Sequence, residues 1–441
     1  MATKLDAPTG AFLHAPPPRG IAKRSSSTGA HLACAGLTSL ALASFAPGLA
    51  HAQGMEAGPP AALGGPDRPL TIGAQVVTTY DSNPARGDAA AGVVRGVRSD
   101  DIIVSPSVTV GYSHTVGQQG LALRGVFGYD EYTKNSDLSA EHIDFSAIAN
   151  RAIGARCSLN GAFDYNRGQS NLQNVTINVG KNVIQVYGLS AGESCVSPAG
   201  LSESLAINHS STHNSDSTLV DFNSLGVSGS IGYSNSTIGN VGLVASYTRT
   251  NYVNIPALSL ATPDSLSLTS IGVQISRPIG ARLSGSAAVF YSHSTQDARS
   301  ALPVDSSFSG LTASAGLTYI VGPRLKLEAD LGRNVTGSII QDVGYTISNS
   351  AALAANYTVS SRIAARLGGS WSRNSYRGRV EIVPLATPDW QETSDVFGGV
   401  SMQLGRRAMI SLDVRHEWGS SDIDFYDYTS NRVSLTVSAS L

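Results

Sequence analysis

Apolar side chains recur at every second position through most of this chain. Leu70, Ile72, Ala74 and Val76 begin the pattern, with Thr78 and Tyr80 completing the same face. It ends with Val433, Leu435, Val437, Ala439 and Leu441 on one face, set against Arg432, Ser434, Thr436, Ser438 and Ser440 on the other. A period of two places alternate side chains on opposite faces of a strand. No helical stretch matches it in strength. A strand that is apolar on one face and small-polar on the other belongs between two solvents. About eighteen such segments can be placed between Leu70 and Leu441, with sixteen as the alternative count. They predict an all-β fold, a transmembrane antiparallel up-and-down β-barrel.

The connections carry the same message. Thr115–Gly120, Ala152–Arg156 and Gly405–Arg407 are short, whereas Ser82–Asp101, Gly168–Lys181 and Asn374–Thr393 are long. Short and long alternate along the chain, as they do between the periplasmic turns and outer loops of membrane barrels. A soluble sandwich imposes no such parity.

The phase of each strand then sorts its side chains. Leu325, Leu327, Ala329 and Leu331 form one face that reads as lipid-facing. So do Ile363, Ala365, Leu367 and Trp371, and Ile410, Leu412, Val414 and Trp418. The opposite faces carry Lys326, Glu328 and Asp330, then Arg362 and Arg366, then Asp413, Arg415 and Glu417. Arg124, Arg282 and Arg432 join them from other strands. An Arg or Lys facing lipid at mid-depth costs roughly 2–4 kcal/mol, which drives these charges toward the lumen. There they either touch a passing solute or are simply solvated and paired on the wall. Tyr80, Tyr129, Tyr132, Tyr247, Tyr252, Trp371, Tyr376, Trp418, Tyr426 and Tyr428 fall near strand ends, where the membrane interface favours aromatics with a polar tip.

Composition agrees. Charged residues make up 14% of the chain and Gly accounts for 46 residues, against roughly 25% charge in an average soluble domain. The formal net charge is −2, which is no footprint for nucleic acid. Residues 1–52 read as an export signal: Lys23 and Arg24 precede the apolar run Leu32–Leu49, and Ala50-His51-Ala52 has the form of a cleavage site. Residues 53–69, rich in Ala, Gly and Pro, read as a flexible lead-in, and residues 70–441 as the barrel. Beyond the leader, Cys157 and Cys195 are the two cysteines; an exported chain permits a disulfide between them, with two free thiols as the alternative.

Catalytic and metal signatures are missing from the chain. It has no HExxH, P-loop or CxxC motif, and its GxSxG match, Gly188-Leu189-Ser190-Ala191-Gly192, falls on a strand-like segment rather than on the strand-to-helix turn that chemistry needs. His209 and His213 are four apart, a spacing that on a strand holds them about 13 Å apart along one face, too far to share an ion. No enzyme activity, cofactor or metal is expected.

Three segments resemble a known family. Tyr80-Asp81-Ser82-Asn83-Pro84-Ala85-Arg86 is similar to the Tyr-Asp-x-Asn-x-x-Arg opening of outer-membrane β-barrel porins associated with exopolysaccharide and capsule operons. Gly128-Tyr129-Asp130-Glu131-Tyr132 followed by Asp137, and Phe425-Tyr426-Asp427-Tyr428 with Asn431, resemble the same family. The resemblance implies a bacterial outer-membrane location, insertion by the outer-membrane assembly machinery, and porin-like passage of a small solute or export of polysaccharide. The alternative is a structural barrel whose outer loops bind a ligand or partner. Leu441 stands where such barrels usually carry an aromatic residue.

Overall fold

The computed structural model describes residues 69–170, 181–255, 263–297, 307–338, 343–378 and 388–441. The leader, and the lead-in as far as residue 68, lie outside the described residues. Eighteen strands follow one another: β1 (Leu70–Asp81), β2 (Asp101–Val116), β3 (Gln119–Tyr132), β4 (Ala140–Ile153), β5 (Cys157–Gln169) and β6 (Val183–Val196). Next come β7 (Leu201–Asn214), β8 (Asp221–Asn235), β9 (Gly239–Val253), β10 (Ser265–Ile279), β11 (Leu283–Asp297) and β12 (Phe308–Ile320). The last six are β13 (Leu325–Gly337), β14 (Tyr345–Thr358), β15 (Ile363–Arg377), β16 (Trp390–Leu404), β17 (Ala408–Ser421) and β18 (Tyr428–Ser440). One short helix, α1 (Ala89–Arg95), interrupts the first long connection.

Every strand pairs antiparallel with its sequence neighbours, and β1 also pairs with β18, from Gly73 opposite Ser440 to Asp81 opposite Arg432. The sheet is therefore a closed barrel of eighteen strands. Closure leaves no backbone edge, which is what allows a sheet to stand in lipid. Strands of twelve to sixteen residues exceed the 9–11 needed to span the hydrocarbon layer, so their ends stand in the interfaces. Turns of two to four residues alternate with connections of six to nineteen, and the parity holds around the whole barrel. The tightest is Gly117-Gln118, where Gly117 adopts φ 58° at no steric cost.

Pairing extends the two-residue alternation into rows around the barrel. Val76 faces Val437, Thr78 faces Leu435 and Tyr80 faces Val433 across the seam, all on the outer surface. Leu353, Leu367 and Leu331 are 60%, 66% and 59% exposed, the expected state of side chains whose solvent is lipid. The inward rows hold mostly Ser, Thr, Gly and Asn. Cys157 and Cys195 are directly opposite one another on β5 and β6 and joined by a disulfide, with Cα atoms 4.1 Å apart. They stand on an outward row at the short-turn end, so the bond closes the base of the β5–β6 hairpin.

Candidate functional site

Strand pairing puts nine of the predicted lumen residues on inward rows: Arg124, Lys326, Glu328, Asp330, Arg366, Asp413, Arg415, Glu417 and Arg432. The other two are corrected. Arg282 lies in the turn before β11 and Arg362 in the turn before β15, both exposed at the short-turn rim. The sequence pattern had started each strand one residue too early, and a side chain off the end of a strand has no assigned face.

The inward charges concentrate beside the seam. Arg366 on β15 bonds Asp413 on β17 at 2.8 and 2.9 Å. The strand between them contributes Gly399 at that height, and any Cβ there would collide with the Asp413 carboxylate. Phe397 on β16 carries Arg366 at 5.8 Å and Arg415 at 5.4 Å from its ring centre. Arg415 also approaches Asp395, which accepts a hydrogen bond from Ser370. Arg432 on β18 pairs with Glu417 on β17 at 2.6 Å, and the Tyr428 hydroxyl donates to the same carboxylate at 2.6 Å.

Into this network comes Arg86 from the first long connection. Its guanidinium grips Asp81 with two bonds of 2.7 and 3.1 Å, reaches Glu417 at 3.4 Å and lies 5.8 Å over the Tyr428 ring. Ser430 completes the Asp81 carboxylate at 2.8 Å. Burial works against the charge on Arg86, but Asp81 and Glu417 outweigh it and hold its pKa above the usual arginine range. The backbone at Arg86 is left-handed, φ 51°. A non-glycine residue held there costs of order 1–3 kcal/mol and needs such over-determination.

The resemblance motifs meet here. Asp81 also accepts from the Asn83 amide N–H at 2.9 Å, while the Asn83 side chain donates to Gly87 and Thr429. Asp88 caps α1 by accepting from Ala91 at 2.7 Å. Arg95, at the end of α1, donates to the Ala85 carbonyl at 2.6 Å and stacks against Phe425 and Tyr426. Burial pushes its pKa down to about 10, with Tyr426 and Asp88 partly opposing. Burial likewise lifts Tyr426 to about 12, partly offset by Arg95. The motif near the start of the barrel and the one near its end thus form a single fastening for residues 82–100.

Other connections fold in behind it. Asp101, fully buried, accepts from the Thr133 hydroxyl, the Lys134 and Asn135 amides and the Asn135 side chain, all at 2.8–2.9 Å. Ala85, Val97, Leu138 and Leu219 then pack together with Tyr132. Adjacent Val220 belongs to a second cluster with Phe222, Tyr252, Leu266, Val343 and Tyr376. Members of that cluster come from the adjacent strands β8, β9 and β10 and from β15, five strands further round the barrel, so an apolar layer reaches across the long-loop mouth. Aromatics at strand ends accordingly divide by parity. Tyr80, Tyr129, Tyr247 and Trp418 face outward and are 40–45% exposed, as an interfacial belt requires. Tyr252, Tyr376, Tyr426 and Tyr428 are buried at the mouth instead. Proximity to a strand end could not separate the two groups, whereas strand phase does so for those within strands.

Across the lumen the wall is different. On β6 to β12 no Asp, Glu, Lys or Arg stands on an inward row: Glu193, Glu203, Arg249, Arg277 and Asp297 all occupy outward rows. Asp221, at the first position of β8, binds Asn214 and Asn254 at the rim. Hydroxyls bond hydroxyls along this wall, as in Ser270–Ser292 at 2.8 Å, Ser292–Thr312 at 2.7 Å and Ser204–Ser230 at 2.7 Å. His209 and His213 face outward around the Tyr187 ring, and among the described residues no three metal-ligating side chains converge.

Residues 267–441 match the model of the family described as "Putative beta-barrel porin 2". That match bears out the porin resemblance for the C-terminal part of the chain, and the fold is a porin-like outer-membrane β-barrel. No curated protein matches the chain. Similar solved structures include the FrpB iron transporter from Neisseria meningitidis, F3-3 variant, at 11% identity and TM-score 0.43, with 82% of this chain and 63% of that one covered. Pseudomonas aeruginosa OccK2 (OpdF) matches at 10% identity and TM-score 0.44, covering 84% and 98%. OccK9 (OpdG) from the same organism matches at 12% identity and TM-score 0.44, again covering 84% and 98%. This chain spans under two thirds of the FrpB length.

Proposed function

We propose that this barrel gives a polar solute passage across the bacterial outer membrane, the long connections facing outward and the cleaved leader directing export. The observation that carries this is the unbroken ring of eighteen strands whose inward rows are polar. Barrels of 16–18 strands are wide enough to leave an aqueous channel. The association of the resembled family with exopolysaccharide operons makes a polysaccharide chain one candidate cargo, small solutes the other. The inward charges act as the contact surface, and no catalytic role is assigned to any residue.

Purified full-length protein in planar bilayers, together with sugar-driven swelling of liposomes, tests the proposal. Stepwise conductance and swelling are expected; silence in both that persists after Arg86→Ala would sink it. A second reading, a closed barrel whose outer surface binds a partner, is favoured by the apolar layer across the mouth, where Leu219, Val220 and Val343 are almost wholly buried. Arg86→Ala separates the two. A silent wild type with a conducting variant marks a passage closed by residues 82–100, and silence in both leaves the binding barrel.

A further inference from the structure

We infer that the passage selects cations over anions, and that carboxylates on two opposite walls set this preference. The inference rests on the passage proposed above and names the class of ion that crosses.

The inward arginines near the seam do not supply free positive charge. Arg86, Arg366, Arg415 and Arg432 each have a carboxylate partner within 3.9 Å, and Lys326 pairs with Glu328 at 2.5 Å. Those pairs cancel at the distance of a passing ion.

Three inward carboxylates well inside their strands stand outside any such pair among the described residues, while Asp130 faces His142 at 3.6 Å and Asp101 is buried at the rim. Asp144 on β4 and Asp164 on β5 occupy adjacent inward rows, their partners across the strands being Val126, Asn166, Ser146 and Gly188. Asp330 stands inward on β13 between Gly316 and Ala352. All three are exposed. In an eighteen-strand ring β4 and β13 are nine strands apart, so these carboxylates face one another across the lumen. Each lies well inside its strand, near mid-depth, rather than at a rim.

With Arg124 counted whole against them, the balance remains negative. The β6–β12 wall contributes no inward charge to oppose it. Carboxylates around a pore raise the local concentration of cations and exclude anions without holding any one ion. The effect is moderate, because a Debye length of about 8 Å at physiological salt screens much of so wide a lumen.

The test is the reversal potential of the full-length protein in planar bilayers under a potassium chloride gradient. A potassium-to-chloride permeability ratio of roughly three or more is expected at low salt, falling as salt rises. The triple variant Asp144→Asn, Asp164→Asn, Asp330→Asn should bring the ratio close to one while the single-channel steps persist. Heat-modifiable mobility on gels checks that the variant is folded. A ratio at or below one in the wild type overturns the inference alone. So does a cation preference that the triple variant leaves unchanged. Absence of any conductance from the wild type and from Arg86→Ala alike overturns the passage and this inference together.

Discussion

Two stretches of the lumen wall are finished with opposite chemistry. From β13 through the seam to β5 the inward rows carry charge, and near the seam those charges interlock. Arg86, Asp81, Glu417, Arg432 and Tyr428 form one network. From β6 to β12 the inward rows are neutral, and hydroxyls satisfy each other strand by strand. Both walls have the same antiparallel pairing, so this difference is not needed to close the barrel. The charged side supplies the ion pairs that fasten a connection of nineteen residues over the mouth, to which the neutral side adds the packing of Leu219 against Ala85 and Val97. A buried ion pair is weak support for stability in itself, but losing one partner is expensive, which makes such a network suited to fixing one arrangement.

The largest difference between the walls should appear on changing Arg86. Arg86→Ala leaves Asp81 and Glu417 buried with fewer partners, a loss of about 3–5 kcal/mol. Residues 82–100 are expected to detach, so trypsin should cut reconstituted protein at Arg95 or Arg98 at least about tenfold faster, while the strands stay resistant. Protection equal to the wild type would remove the fastening role. Lipid-side and lumen-side positions come next. Leu353→Arg places a cation in lipid at a cost of about 2–4 kcal/mol. Ala352→Arg, one residue away and opposite Asp330, should stay within about 1 kcal/mol. Urea unfolding in lipid vesicles measures both, and equal penalties would mean the strand phase is misassigned. Converting both Cys157 and Cys195 to Ser should lower stability by roughly 2–4 kcal/mol, since the bond closes a 38-residue separation. The same unfolding curves report it, and an unchanged midpoint would show the staple to be dispensable.

Strand count, parity of connections and the facing of charges were legible because they depend on local alternation, which lipid enforces residue by residue. Lys326, Glu328 and Asp330 fall inward for that reason alone. Arg282 and Arg362 were misplaced because strand ends have no such enforcement. The fastening was legible only as a motif: the Asp81-to-Arg86 spacing is visible in the sequence, but Glu417, Arg432 and Tyr428 are more than 300 residues away and meet it only when β18 closes on β1. Gly399 could not be recognised either, since its smallness matters only once Arg366 and Asp413 reach across it. The inward aromatics were hidden by a similar gap. Tyr247 and Tyr252 lie five residues apart on β9, an odd separation that sends one to lipid and the other to the mouth.

The smallest effect is expected on the neutral wall. Ser292 is fully buried and its hydroxyl sits between those of Ser270 and Thr312. Ser292→Ala removes two hydroxyl contacts but no charge, and hydroxyls can turn toward other acceptors, so about 0.5–1.5 kcal/mol of stability should be lost. Trypsin sensitivity of residues 82–100 should not change, because nothing on β11 holds them. Ion selectivity should not change either, because no inward charge on that wall is disturbed. If Ser292→Ala instead loosened the connection or shifted the reversal potential as far as the triple Asp→Asn variant, the two walls would be acting as one. The neutral rows themselves would then have to be counted as part of the mouth's fastening.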